Sequence, residues 1–388
     1  MDYKKIASEY KTPLFIFDID NLKERCEYLK NHLPNMDICY AVKANSFVVK
    51  EISEYVSRLE ICSEGEYHLC EDLGIDPHKM VLSGVNKNYE EFDNIIKNND
   101  DILRYTIESV NQFNMLKELS SKYKRKIMIM PRYTSGNQFG MNEDEIIDIL
   151  NSMNEYMEYA GIEFFSGTQK HSISRIEKEF IKINKLISRI EEETGHTTNE
   201  IEYGTGFPVY YFIDDEFDEE NFFKEFNYLV TTYFKDKQVI LEIGRSLVAS
   251  SGVYLTKVAD FKCNNVGKYV ILDGGINHLV YYGSTMAMKV PYFELFQEKR
   301  NYEEEIVTLC GSLCTVNDIL VKQVSVPKLN VGDLFVFKNT GAYSVTEGIN
   351  LFLSRDLPKI LLIKDGCVLV VRDEFKTYKL NTPNYVGE

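Results

Sequence analysis

Eight short apolar runs punctuate the first 245 residues, and their spacing constrains the fold more than any other feature. They are "DICYAV" (37–42), "LEICS" (59–63), "KMVLSG" (79–84), "ILRYTI" (102–107), "KIMIMPRY" (126–133), "GIEFF" (161–165), "NEIEYG" (199–204) and "QVILEIG" (238–244). Between them, stretches such as "EEFDNIIKNN" and "ISRIEKEFIKINKLISRIEEET" carry apolar residues at helical spacing. Eight strands alternating with helices over about 210 residues is the pattern of an α/β protein built on a (β/α)8 TIM-type barrel. After Arg245 the pattern changes. "LVASSGVYLTKVADF", "KYVILDGG", "DILVKQVSV", "DLFVFKN" and "CVLVVRD" are strand-like with few helical stretches between them, which predicts a C-terminal all-β domain. The early run "PLFIFD" (13–18) precedes the barrel pattern and is expected to complete that β domain. The domains expected are therefore an N-terminal strand segment over 1–25, a barrel over 26–245 and a β domain over 246–388.

Composition narrows the function classes. A net charge of −16 leaves no basic face for nucleic acid or an anionic membrane, and no apolar stretch reaches the length of a membrane span. The start "MDYKKIASEYKTP" lacks the apolar core of a signal peptide, so a cytoplasmic protein is expected. The eight cysteines are scattered without a C-x-x-C pair, and Cys310 and Cys314 have no histidine nearby. They read as free thiols, with no metal site.

In a (β/α)8 barrel the chemistry sits at the C-terminal ends of the strands. Lys43 stands at the end of the first run, inside apolar sequence. There an ammonium must find a charged partner, shed its proton, or become an imine with an aldehyde cofactor. At the end of the seventh run, Gly204, Thr205 and Gly206 form a tight turn that backbone N–H groups could offer to an anion. The eighth run ends in "LEIGR", placing Glu242 and Arg245 near the same mouth. Each feature has a bland alternative: a paired or snorkelling lysine, an ordinary turn, a capping glutamate. Together they suit a phosphorylated pyridine aldehyde, which needs a Schiff-base lysine, a phosphate loop and a carboxylate on its ring nitrogen. That ligand is pyridoxal 5'-phosphate.

"YAVKAN" resembles the cofactor-lysine motif of the fold-type III (alanine-racemase-fold) pyridoxal-phosphate decarboxylases, the superfamily of ornithine, diaminopimelate and arginine decarboxylases. The similarity continues in order along the chain. "ICSEGEY" resembles D-x-A-S-x-G-E, with Glu60 where aspartate is common, "EYGTGFP" resembles G-G-G-F, and "EIGR" resembles E-P-G-R. "CGSLCTVNDIL" resembles G-P-x-C-x-x-x-D, and "GAYSV" resembles a G-A-Y motif. The resemblance implies that Lys43 carries the cofactor and that Gly204, Thr205, Gly206, Arg245 and Tyr343 surround its phosphate. Glu242 binds the pyridine nitrogen. Cys314 and Asp318 reach the active site of the neighbouring subunit of a homodimer, where the cysteine is the proton donor after carbon dioxide leaves. A glutamate at position 242 keeps the ring nitrogen protonated and favours decarboxylation, whereas racemases of this fold place an arginine there.

The departures concern the substrate. The motif H-x-H-x-G-S reads "GIEFFSGTQ" here, so Phe165 takes the ring-stacking position of a histidine and Thr168 that of a serine. Phenylalanine can stack but cannot donate a hydrogen bond; His171, six residues on, is a candidate substitute. Thr315 follows Cys314 where diaminopimelate and ornithine enzymes carry an acid, so a distal ammonium loses a charge-assisted bond of about 1.5–3 kcal/mol. "GGINHLVYYGS" lacks the arginine that diaminopimelate enzymes use for the distal carboxylate. Arg132, in "MPRY", is a further substrate-binding candidate. An aromatic stacker with "NQFGM" and "SLCTVNDIL" resembles the specialised branch that acts on a carrier-bound glutamyl group or on an amino acid inside a siderophore-type conjugate. The alternatives are diaminopimelate decarboxylase, a racemase or epimerase of the same fold, and a non-catalytic binding protein.

Overall fold

The computed structural model describes residues 1–384 apart from 100, 285 and 300. It resolves into two compact units, one formed by Met1–Glu24, Val209–Glu216 and Leu247–Glu388, the other by Arg25–Pro208 and Phe217–Ser246.

The first unit holds strand β1 (Leu14–Asp18); the strands that follow in sequence, β2 (Met36–Ala41), β3 (Arg58–Ile61), β4 (Met80–Leu82), β5 (Arg104–Ile107), β6 (Ile127–Tyr133), β7 (Met157–Tyr159), β8 (Gly161–Phe165), β9 (Glu200–Gly204) and β10 (Gln238–Ile243), belong to the second. In that unit the parallel order β5-β4-β3-β2-β10-β9-β8-β6 closes through a β5–β6 pairing, and β7 pairs with the first half of β6 (127–129) just ahead of β8, which pairs with Arg132 and Tyr133. The eight expected runs thus form the barrel, whereas β7, three residues long, carries too short an apolar pattern to read from sequence. The helices between them follow their signals. Ile173–Thr194 starts at Ser172, whose hydroxyl accepts from the Arg175 N–H, and stops at Gly195 in the left-handed region (φ 73°). Its Ile176, Phe180, Ile183, Ile187 and Ile190 are buried on one face.

The first unit continues with β11 (Gly252–Cys263), β12 (Lys268–Leu272), β13 (Phe293–Phe296), β14 (Glu304–Cys310), β15 (Ile319–Pro327), β16 (Leu334–Phe337), β17 (Lys359–Lys364) and β18 (Cys367–Arg372). As expected from "PLFIFD", β1 is inserted in this sheet, antiparallel to β11 and parallel to β17. A helix over Tyr3–Tyr10, absent from the sequence reading, packs Ile6 and Ala7 against Leu14, Ile16, Val253 and Leu361. The segment Val209–Glu216, which the sequence boundaries leave in the barrel, groups with this unit, where Phe212 bridges to Pro291.

The barrel interior is unusually polar. Period-2 alternation on the strands turns Arg58, Glu60, Arg104, Glu163, Glu200, Glu202 and Glu242 inward, all buried. Towards the N-terminal ends, Arg104 grips Glu200 through Nε (3.1 Å) and a second nitrogen (2.5 Å), and Arg58 reaches Glu200 at 3.0 Å and Glu202 at 3.4 Å. Burial outweighs the attraction of Arg58 and pushes the Glu202 carboxyl from 4.5 up to about 7. Between those two values the folded protein holds a proton that the unfolded chain has released. The contribution of Glu202 to stability therefore falls as pH rises through that window and does not return above it. Glu202→Gln should flatten this part of the stability–pH profile and raise stability by about 1–3 kcal/mol at about pH 8 in urea unfolding; a profile parallel to wild type would contradict the assignment.

Candidate active site

Strand β2 ends at Ala41, and Val42–Ala44 make a single 3-10 turn, so Lys43 lies just beyond the strand with its side chain 41% exposed. It is not the buried strand lysine that the apolar run suggests. Its Nζ donates to Glu60 Oε2 at 2.7 Å and stands 3.6 Å from Glu242 Oε1 and 3.5 Å from Cys62 Sγ. Parallel register brings these groups together: β2 pairs with β3 at Ala41↔Glu60 and with β10 at Cys39↔Glu242. The lysine is therefore flanked by a carboxylate from each neighbouring strand.

The two carboxyls titrate differently. Burial alone would raise Glu60, but the Lys43 ammonium and hydrogen bonds hold it below the usual carboxylate range. Glu242 is pushed well above that range by burial first and by the Glu60 charge second. Its Oε2 is buried with no hydrogen-bond partner among the described residues. A buried carboxyl oxygen left open suits a cationic N–H donor, which would restore its charge. An open buried carboxyl beside an accessible amine fits a ligand that carries both a cationic ring N–H and an aldehyde.

The side expected to take the phosphate is built by β8, β9 and the loops after them. Phe165 pairs with Gly204 across the sheet, and a Cβ on Gly204 would come within 2.2 Å of the Phe165 ring. Gly206 has φ 56°, and a Cβ there would come within 2.2 Å of the Gly167 carbonyl. Arg245 Nε donates to Thr168 Oγ1 at 3.4 Å. Phe165, Thr168, Gly204, Gly206 and Arg245 thus gather at one end of the barrel. Thr205 differs from expectation in one respect: its N–H and hydroxyl both donate to the Glu242 carbonyl at 3.2 Å, so it ties the turn to β10 with the groups an anion would need.

Arg132 and His171 also sit differently from their expected substrate roles. Arg132 is buried, donates to Glu108 at 2.6 Å and lies 3.4 Å from Glu163. Its guanidinium stacks 4.9 Å from Phe139 and 5.9 Å from Phe165. It lies over the Phe165 ring while its charge is spent on neighbouring acids. Glu163 is only 1% exposed, neither carboxyl oxygen has a hydrogen-bond partner among the described residues, and burial raises it against the pull of Arg132. His171 is exposed and meets Phe217 edge-on at 5.5 Å. The sequence reading assigned no role to Glu60 or Glu163; the available signal was an acid at an inward position of an otherwise apolar strand.

Cys314, Thr315, Asp318 and Tyr343 belong to the first unit. Cys314 is exposed. Asp318 is not a free substrate contact: it is 3% exposed and accepts from the Ile276 N–H at 2.9 Å and the Leu313 N–H at 2.7 Å. A Cβ on Gly275 or Gly311 would come within 2.5 Å or 2.3 Å of its carboxylate. Asp318 therefore anchors the loop that presents Cys314 and Thr315. Tyr343 has φ 64°, a conformation uncommon for a bulky residue, and its carbonyl accepts from the Thr346 and Glu347 N–H groups. Gly204→Ala should cost about 1–3 kcal/mol in denaturant unfolding because its methyl group meets Phe165. The same change in a Phe165→Ala background should cost markedly less, and equal costs in both would show that the two residues do not share this packing.

The sequence over residues 19–249 matches the family model described as pyridoxal-dependent decarboxylase, pyridoxal binding domain. The chain is 28% identical to a diaminopimelate decarboxylase of Campylobacter jejuni, over 96% of either chain. It is also 28% identical to the L-glutamyl-[BtrI acyl-carrier protein] decarboxylase of Niallia circulans, over 95% of this chain and 92% of that one. The fold is similar to that of diaminopimelate decarboxylase from M. jannaschii in co-complex with L-lysine, with a TM-score of 0.88 at 21% identity over 99% of this chain and 94% of the other. With an open carboxyl oxygen on Glu242 beside an accessible Lys43, and a match covering the whole barrel, the chain belongs to the pyridoxal-dependent decarboxylase family.

Proposed function

We propose that the protein removes the carboxylate from the α-amino-acid head of a substrate carried in a larger conjugate or on a carrier protein. The observation that carries the decarboxylase reading is the Lys43 ammonium between Glu60 and Glu242, with Glu242 Oε2 open to a donor. Lys43 would hold pyridoxal 5'-phosphate through Nζ, Glu242 its ring nitrogen, Phe165 one face of its ring, and Gly204, Gly206, Thr168 and Arg245 its phosphate. When bound, the cofactor supplies a sink for the electron pair left by departing carbon dioxide. The protein's own groups do the rest. Glu242 keeps a proton on the ring nitrogen, Glu60 orients Lys43, and Cys314 delivers a proton to the α-carbon in the site of a second copy of the chain.

The preference for a conjugate rests on missing charge. Thr315 offers only a hydroxyl where a free diamine needs an anion, and Arg132 is engaged by Glu108 and Glu163. The Niallia circulans relative, by its name, acts on a carrier-bound glutamyl group. A second reading, decarboxylation of free diaminopimelate, is favoured by the Campylobacter jejuni relative. A homodimer with shared active sites and a cytoplasmic location belong to the proposal through the family resemblance.

Lys43→Ala should lose the visible cofactor band, whereas Cys314→Ala should keep it and lose about 10²–10⁴-fold in turnover. An imine still trapped by borohydride in the Lys43→Ala protein would refute the site. Mass spectrometry of free diaminopimelate, ornithine, lysine and glutamate beside glutamyl-carrier protein and a citrate-conjugated diamino acid decides the substrate. Carbon dioxide loss confined to the conjugates is expected, and rapid loss from free diaminopimelate would establish the second reading.

A further inference from the structure

Lys170 lies on the loop between β8 and the helix Ile173–Thr194, and it is only 2% exposed. Burying an ammonium costs several kcal/mol unless its hydrogen bonds are met. Here they are met by the turn over 204–206 and its supports. Nζ donates to the Gly204 carbonyl (2.8 Å), the Tyr203 hydroxyl (2.9 Å), Glu179 Oε2 (3.1 Å) and Ser166 Oγ (3.2 Å). The backbone N–H of the same residue donates to the Gly206 carbonyl at 2.8 Å. Glu179 is held in turn by the Tyr203 hydroxyl and by Ser166, both at 2.6 Å. A Cβ on Gly206 would come within 2.9 Å of the Lys170 Cε, so the turn and the lysine are fitted to each other.

One residue therefore takes both carbonyls that flank Thr205. The C=O and N–H of a peptide unit point in opposite senses. Drawing the Gly204 carbonyl to Lys170 turns the Thr205 N–H the other way, and that N–H indeed meets the Glu242 carbonyl. By the same geometry, drawing the Gly206 carbonyl to Lys170 turns the Phe207 N–H away from the lysine. Left unheld, either carbonyl could swing toward an incoming anion and repel it.

We infer that Lys170 is the positioning residue of the phosphate-binding turn: it keeps the Gly204 and Gly206 carbonyls off the anion side and presets the turn for a phosphate monoester. The inference rests on the reading that residues 204–206 receive the cofactor phosphate. Burial lowers the lysine to about 8 against the pull of Glu179, so the ammonium is retained at neutral pH.

The experiment compares the affinities of the full-length protein, stripped of cofactor, for pyridoxal 5'-phosphate and for pyridoxal, which forms the same imine but has no phosphate. Both are followed by the imine band. Wild type should strongly prefer the phosphorylated ligand. Lys170→Met should lose about 10–100-fold in affinity for pyridoxal 5'-phosphate while binding pyridoxal within about twofold of wild type. Glu179→Gln and Tyr203→Phe, which loosen the same ammonium, should show the same selective loss at smaller size and serve if Lys170→Met does not fold. Equal losses for both ligands would make Lys170 a purely structural residue and overturn the inference, as would an unchanged preference in all variants. A wild type without preference would overturn the phosphate-turn reading itself, a result distinct from either.

Discussion

The polar end of the barrel is organised around the ion pair between Lys43 and Glu60. It decides where the proton of a crowded acidic site resides. With Glu60 held ionised against the lysine, burial and the Glu60 charge both disfavour a charge on Glu242, and its Oε2 is left without a hydrogen-bond partner among the described residues. The arrangement depends on strand register. A shift of one residue in β3 or β10 would turn Glu60 or Glu242 to the outer face of the barrel and leave Lys43 with apolar neighbours.

Two tiers of buried charge share this interior and differ in completeness. Arg58, Arg104, Glu200 and Glu202 satisfy one another towards the N-terminal ends of the strands. Nearer the C-terminal ends, Glu163 and Glu242 keep oxygens without hydrogen bonds. Pairs of the first kind tend to fix geometry more than they add stability, because desolvation offsets much of their attraction. Groups of the second kind cost free energy until a ligand supplies the missing donor. The closed tier holds the strands and the open tier is available to chemistry, so the same residue types do different work a few ångströms apart.

Packing extends this logic to the loops. Gly204 and Gly206 are small because Phe165 and the Gly167 carbonyl occupy the space a side chain would take. The Phe165 ring, the turn and the buried Lys170 are one fitted assembly, with the Arg132 guanidinium over the same ring. In the first unit, Asp318 does comparable work: its carboxylate gathers backbone N–H groups to shape the loop carrying Cys314 and Thr315.

Much of the fold was legible in the sequence because hydrophobic period is a local property. The eight apolar runs match the barrel strands to within two residues at either end, and "PLFIFD" joins the β sheet as its pattern and position imply. What escaped were β7 and the helix Tyr3–Tyr10, and in the β domain the strands β13, β14 and β17, which the sequence reading passed over. The sequence singled out Lys43, Glu242 and the Gly204–Gly206 turn, since ordered motifs name residue types. Partners were not. That Glu60 meets Lys43, that Arg132 and Asp318 are consumed by neighbours, and that Lys170 lies buried under the turn depend on which strands adjoin and in what register. Those distances span up to tens of residues of chain, and only the closed barrel and the folded sheet bring them to hydrogen-bonding range.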